Sequence, residues 1–155
     1  MSAVFENRPA AAPAVLPTVL PLDKRALVLD ECCPRLQKAK ALLIFLQSLF
    51  MDGQYPSTER PSYEDMSTTW NHALRLLNEA LTIWSRAEGL DIIETEFPNR
   101  ICDASALLSV IEAITVADAG ITYSDEIMSL SFQAASDAVD EALALVEFAC
   151  PLEAP

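Results

Sequence analysis

The chain has 155 residues, with 23 Asp and Glu against 10 Lys and Arg and a single His, for a formal charge of −13. That length points to one domain, and 52% apolar with 21% charged residues provides an ordinary core, which excludes a wholly disordered, collagen-like or disulfide-scaffold chain. Direct nucleic-acid binding is excluded as well, because phosphate recognition needs clustered Lys and Arg and so acidic a chain repels polyanions.

Residues 1–21 form an arm in which Pro9, Pro13, Pro17 and Pro21 recur every fourth residue. This spacing predicts a flexible, disordered Pro/Ala-rich tail of polyproline character. It does not read as a secretory signal, because Glu6 precedes the apolar part and the prolines break the helix a signal needs. No apolar run reaches the roughly 18–20 residues of a membrane span, and the longest, Ala41 to Phe50, contains Gln47 and Ser48. Membrane association is therefore not expected. The usage of cysteine, four in a chain this long with two adjacent, reads as reduced thiols in the cytoplasm.

Residues 22–155 read as a single helical domain. Apolar residues recur at helical spacing in four stretches, 34–51, 62–88, 100–118 and 124–149. Gly53, Gly89 and Gly120 follow the first three, where a left-handed C-cap favours a residue without Cβ, and Cys150-Pro151 closes the fourth. Pro34 suits a first helical turn, Asn99 an N-cap, and Ser62 and Ser124 cap the second and fourth stretches with Asp65, or Asp125 and Glu126, set against the helix dipole. Leu27-Val28 and Ile92-Ile93, ahead of the first and third stretches, read either as brief extended segments or as plugs over one bundle end. With every glycine used in this way, neither a phosphate-binding loop nor a dinucleotide fingerprint remains, and no cofactor is expected.

The second half repeats the first. At an offset of 65, Arg35, Ala39, Ala41, Leu42 and Leu43 match Arg100, Ala104, Ala106, Leu107 and Leu108. At an offset of 62, Ser62, Glu64, Met66, Ser67, Ala73, Glu79, Ala80, Leu81 and Ala87 match Ser124, Glu126, Met128, Ser129, Ala135, Glu141, Ala142, Leu143 and Ala149. The change of offset is a loop-length difference, longer in 53–61, where helical hairpins tolerate insertion. Met66, Trp70, Ala73, Leu77, Ala80, Leu81 and Trp84 make one stripe, and Met128, Phe132, Ala135, Val139, Ala142, Leu143 and Val146 make its copy. The expected fold is thus all-α: an antiparallel four-helix bundle from two repeated αα-hairpins, about 25–88 and about 90–150.

Catalytic chemistry finds little support. His72 is the sole histidine, and the Glu-x-x-His of a di-iron bundle is absent because position 69 is Thr69. Adjacent carboxylates such as Asp140-Glu141 point about 100° apart on a helix and serve as a solvated face. The bundle places Cys32, Cys33, Cys102 and Cys150 at one end, which opens a disulfide or a thiolate zinc site as alternatives. Without any Cys-x-x-Cys, free thiols and no metal are the preferred reading. No enzymatic role is expected.

Charge is the strongest functional signal. Residues 101–155 carry 10 acids and no Lys or Arg, whereas residues 1–51 are net +2. One-sided charge speeds association with a partner of opposite sign, so Glu126, Asp137, Asp140, Glu141 and Glu147 are expected to face a basic protein, with Asp137, Asp140 and Glu147 on one outward face. The first stretch is apolar beyond a core stripe, having Ile44 and Phe50 where its repeat has Ser109 and Thr115. Ile44, Phe50 and Met51 are therefore expected to contact the arm, a partner or a second copy in a homodimer. By acidity and helicity alone the chain is similar to acidic helical immunity proteins and antitoxins, which implies an inhibitor or neutraliser. The alternatives are a nucleic-acid mimic, a structural or regulatory homodimer, and a small helical enzyme. Mimicry is disfavoured because ten acids along a hairpin of about 35 Å give about half the axial charge density of duplex DNA.

Overall fold

The computed structural model describes residues 22–51, 56, 58–87, 93–116 and 124–150. The Pro-rich arm, Gly53, Gly89, Gly120, Ile92 and Pro151 lie outside the described residues. The described elements are α1 (Leu22–Leu27), a π-helical turn (Val28–Cys32), α2 (Cys33–Phe50), α3 (Tyr63–Arg86), α4 (Ile93–Val116) and α5 (Asp125–Ala149). Helices adjacent in sequence pack together and α5 closes back on α2, with the slimmest seam between α3 and α4. The fold is an all-α, antiparallel four-helix bundle. No described helix is long and apolar enough to cross a membrane.

Two helix starts differ from the sequence expectation. The first helix begins at Leu22, and Val28 is fully buried within it, so Leu27-Val28 is neither an extended segment nor a separate plug. Pro34 explains the π turn: it has no N–H for Asp30 and its ring crowds that carbonyl, and the chain widens just before it, with Cys33 N–H donating to Val28 O. The other early start is α4, at Ile93, which puts Pro98 and Asn99 inside the helix and removes Asn99 as its cap. What draws the helix back is Phe97, fully buried and stacked on Trp84 at 4.0 Å. The caps of α3 and α5 are as expected, Ser62 accepting from Asp65 N–H and Ser124 from Ile127 N–H.

Burial follows the repeat residue by residue. Leu36, Ala39 and Leu43 are fully buried, and so are Ile101, Ala104 and Leu108; Trp70, Ala73, Leu77 and Ala80 match Phe132, Ala135, Val139 and Ala142 in the same way. Leu81 and Leu143 are both only partly buried at the edge of the core. The repeat also reproduces an ion pair that no core argument requires. Arg35 meets Glu79 at 3.0 Å, and their counterparts Arg100 and Glu141 meet at 2.8 Å. Each pair braces the two helices of one hairpin.

Aromatic rings meet between the hairpins. Phe132 lies 5.9 Å from Phe50 and 6.2 Å from Trp70, and the Trp70 indole donates to Glu112, so each of the four helices contributes to one central layer. Arg60 clasps the loop end of the layer, donating to both Asp125 oxygens at 2.7 and 2.6 Å with its guanidinium 5.1 Å from the Phe50 ring. The hydrogen bonds from Arg60 hold the Asp125 carboxyl below its ordinary range.

Candidate functional site

The residues expected to bind a partner divide into three environments. Phe50 is not a surface residue: it is 2% exposed, stacked on Phe132 and covered by Arg60. Its angular position on α2 matches that of Leu36 and Leu43, which is why it turns inward despite standing at the helix end. Ile44 and Met51 are exposed among the described residues.

The acids do not form one uniform face. Asp140 leans toward α2 and pairs with Lys40 at 2.5 Å, whereas Glu141 leans toward α4 and pairs with Arg100 at 2.8 Å. Arg60 takes Asp125, and Asp103 reaches Arg100 at 3.9 Å. Basic residues from the first 100 positions thus neutralise much of the acidic half. The divergence of Asp140 and Glu141 follows from the 100° step between adjacent helical residues. Among the described residues, Glu126, Asp137 and Glu147 are exposed without an ion pair.

A groove between α2 and α5 joins the two sequence signals. It encloses about 470 Å³ and is lined by Lys40, Ala41, Ile44, Asp140, Leu143 and Glu147 among others. One wall offers the exposed Ile44 edge, the other the unpaired Glu147 carboxylate, and the Lys40–Asp140 bridge crosses between them. Such a surface suits a ligand that is apolar on one side and cationic on the other.

Sequence reasoning missed several exposed apolar residues: Phe45 on α2, Val110 on α4, and Ile127, Leu130 and Phe148 on α5. The signal for three of them lay in the repeat, where Ile127, Leu130 and Phe148 stand opposite Asp65, Thr68 and Arg86. A position that is polar in one copy faces water in both. The sequence also gave no sign of a second, polar groove of about 600 Å³ beside α3, lined by Arg35, Arg75, Arg86, Asn71, Asn78 and Glu79 among others. This groove lies outside the core stripes, on the solvent side of the helices.

The cysteines do not all meet. Cys32, Cys33 and Cys150 influence one another, but Cys102 is exposed on α4. With α4 starting at Ile93, Cys102 sits about 13 Å up the helix from its first residue and one 100° step from buried Ile101. Burial pushes the Cys32 thiol up to about 12, and burial together with Cys150 and Glu147 pushes Cys33 up to about 11. Cys32 donates its proton to Ala80 O at 3.7 Å. Among the described residues no group of three or more His, Cys, Asp and Glu is placed to hold a metal ion, and all four cysteines are free. At neutral pH a thiol reagent is expected to label about one cysteine per chain rapidly, and Cys102→Ser should remove that phase. Rapid labelling that survives the substitution would mean that the buried thiols are open to solvent.

His72 is half-buried on α3, with Nδ1 3.0 Å from an Arg75 nitrogen and no hydrogen-bond partner for buried Nε2. Accepting from Arg75 assigns the ring proton to Nε2. No serine, cysteine or carboxylate partner of a nucleophilic site adjoins it in the hydrogen bonds described. In comparisons with known proteins, no family model, curated protein or solved structure matches this chain, so its functional reading rests on the geometry of its own surfaces.

Proposed function

We propose that the protein is a non-enzymatic, acidic helical module that binds a basic amphipathic segment of a protein partner in the α2–α5 groove, and so acts as its inhibitor or neutraliser. The observation that carries this reading is the meeting of Ile44 with Asp140 and Glu147 in one groove. An apolar anchor fills the space beside Ile44 and Leu143, and a Lys or Arg of the partner reaches Glu147, with Asp137 and Glu126 drawing the partner in from farther away. Free thiols in all four positions support a reducing, cytoplasmic setting. The internal pairing of Asp125, Asp140 and Glu141 favours this reading over nucleic-acid mimicry, because it lowers an acid density already below that of DNA.

Exposed Ile44, Phe45 and Met51, all on or just after α2, favour a second reading in which that surface pairs with another copy. One set of measurements separates the two. A partner captured from source cells should bind the wild type at a rate that falls steeply with salt, and Ile44→Ser with Glu147→Gln should weaken binding about tenfold or more. Both positions are exposed, so the fold should be unaffected. Unchanged affinity in the variant removes the groove from consideration. A wild type that sediments as a dimer, and a variant that sediments as a monomer, would favour the homodimer.

A further inference from the structure

The two hairpins share a frame but differ in charge at matched surface positions. The Arg35–Glu79 and Arg100–Glu141 braces are equivalent, as are Glu31 and Glu96 beside them. Around that common frame, Arg75, Asn78 and Arg86 of the first hairpin stand where the second has Asp137, Asp140 and Phe148. The first hairpin's surface is the polar groove beside α3.

Asn71, Arg75, Asn78, Thr82 and Arg86 are all exposed and follow one another at three- and four-residue spacing. They form a track about 22 Å long on one face of α3. Arg35 and Arg75 share the single Glu79 carboxylate at 3.0 and 3.8 Å, leaving positive charge over. Arg86 enters no ion pair, and the side-chain amides of Asn71 and Asn78 enter no hydrogen bond, among the described residues. Asn71, Asn78 and Arg86 thus leave donors open along the track, and Arg35, Arg75 and Arg86 against Glu31 and Glu79 leave one positive charge over in a chain of charge −13. Glu31 of the π turn also lines the groove, and its carbonyl accepts from Arg35 at 2.7 Å.

We infer that this track is a second docking site, which takes an acidic helical segment of a partner protein, with carboxylates at three- and four-residue spacing, laid along α3. A helical ligand repeats its charges at the spacing of the track, whereas a small anion would occupy one arginine and leave the rest open. RNA is disfavoured by the absence of an aromatic platform among the groove's lining residues. The site is built on α3 with Arg35 of α2 and Glu31 of the π turn, and it is independent of the α2–α5 reading. If both hold, the bundle bridges a basic partner in the groove between α2 and α5 and an acidic one along α3.

The test uses the full chain and a synthetic 20-residue Ala/Glu peptide with Glu at positions 1, 5, 8, 12 and 16 of a helical register. A permuted peptide of the same composition, an oligouridylate and inorganic phosphate serve as competing probes. Side-chain NMR resonances of Asn71, Asn78 and the arginine Nε groups should shift with the ordered peptide, and Arg75→Gln with Arg86→Gln should weaken it at least about tenfold. Since Arg75 also contacts His72 and Glu79, Arg86→Gln alone provides the control that leaves every described pair intact, and it should weaken binding about threefold or more. Absence of shifts, equal binding of the permuted peptide, or insensitivity to both variants overturns the inference. Tighter binding of phosphate or of the oligouridylate would overturn it in favour of an anion subsite or an RNA surface.

Discussion

Replacing Phe132 by Ala is expected to lower the stability of the bundle by about 3–5 kcal/mol and its melting temperature by on the order of 10–20 °C. The ring is fully buried, and its two aromatic neighbours, Phe50 and Trp70, belong to two other helices. The hole left by truncation is therefore walled by three separate elements. Trp70 is further held by its indole bond to Glu112, and Phe50 lies under the Arg60 guanidinium that binds Asp125. Neither ring can move inward without breaking a polar contact, so the cavity term is added to the lost transfer energy. A domain of this kind has only about 5–15 kcal/mol in all, so the variant should be near the edge of folding. Phe148→Ala makes the control: that ring is 61% exposed, and its removal should change stability by about 0.5 kcal/mol or less. Urea denaturation of both variants decides the matter. A loss below about 1 kcal/mol for Phe132→Ala would mean that the central layer is not closed as described.

The sequence made the bundle legible because two signals with independent causes agree. Helical spacing places Trp70 and Phe132 on apolar stripes, and the offset of 62 makes them counterparts; the structure then packs them against each other 6.2 Å apart. Arg35 and Arg100, aligned for identity alone, both turn out to brace Glu79 or Glu141. Helix starts were less legible, since they depend on tertiary contacts. Pro98-Asn99 reads as a boundary, and only the stacking of Phe97 on Trp84 explains why helix continues through it. The charge argument was legible in its total but not in its distribution. A count of acids cannot say that Asp140 finds Lys40 while Asp137, also on α5, is exposed without a cation among the described residues. The polar groove on α3 was invisible for a similar reason. Its residues are ordinary solvent-facing types, and only comparison of Arg75, Asn78 and Arg86 with Asp137, Asp140 and Phe148 marks the position as one where the repeats part.

Residues 90–155, produced alone, should fail to form a monomer that melts cooperatively. Among the described residues, the close aromatic pairs run between hairpins: Phe50 with Phe132, Trp70 with Phe132, and Trp84 with Phe97. The Arg60–Asp125 clasp, the Lys40–Asp140 bridge and the Trp70–Glu112 bond also run between them. Among the described residues, the Arg100 pairs with Glu96, Asp103 and Glu141 and the α4–α5 seam remain within the fragment. Cutting the chain exposes Ile101, Leu108, Phe132, Val139 and Val146, each fully buried in the whole protein, and each worth roughly 1.5–3 kcal/mol of burial. A two-helix hairpin has no second layer with which to cover them. The internal repeat supplies one outlet. Because the missing stripe is a near copy of the fragment's own, a second fragment can cover it, and Phe132 would then face its own equivalent where Trp70 now lies. Sedimentation should accordingly show self-association or aggregation, and adding residues 1–89 should restore a single cooperative transition with the aromatic circular dichroism of the intact chain. A monomeric 90–155 fragment with a sharp melting transition would show that the hairpins are separate folding units, and that the aromatic layer between them joins two finished structures rather than completing one.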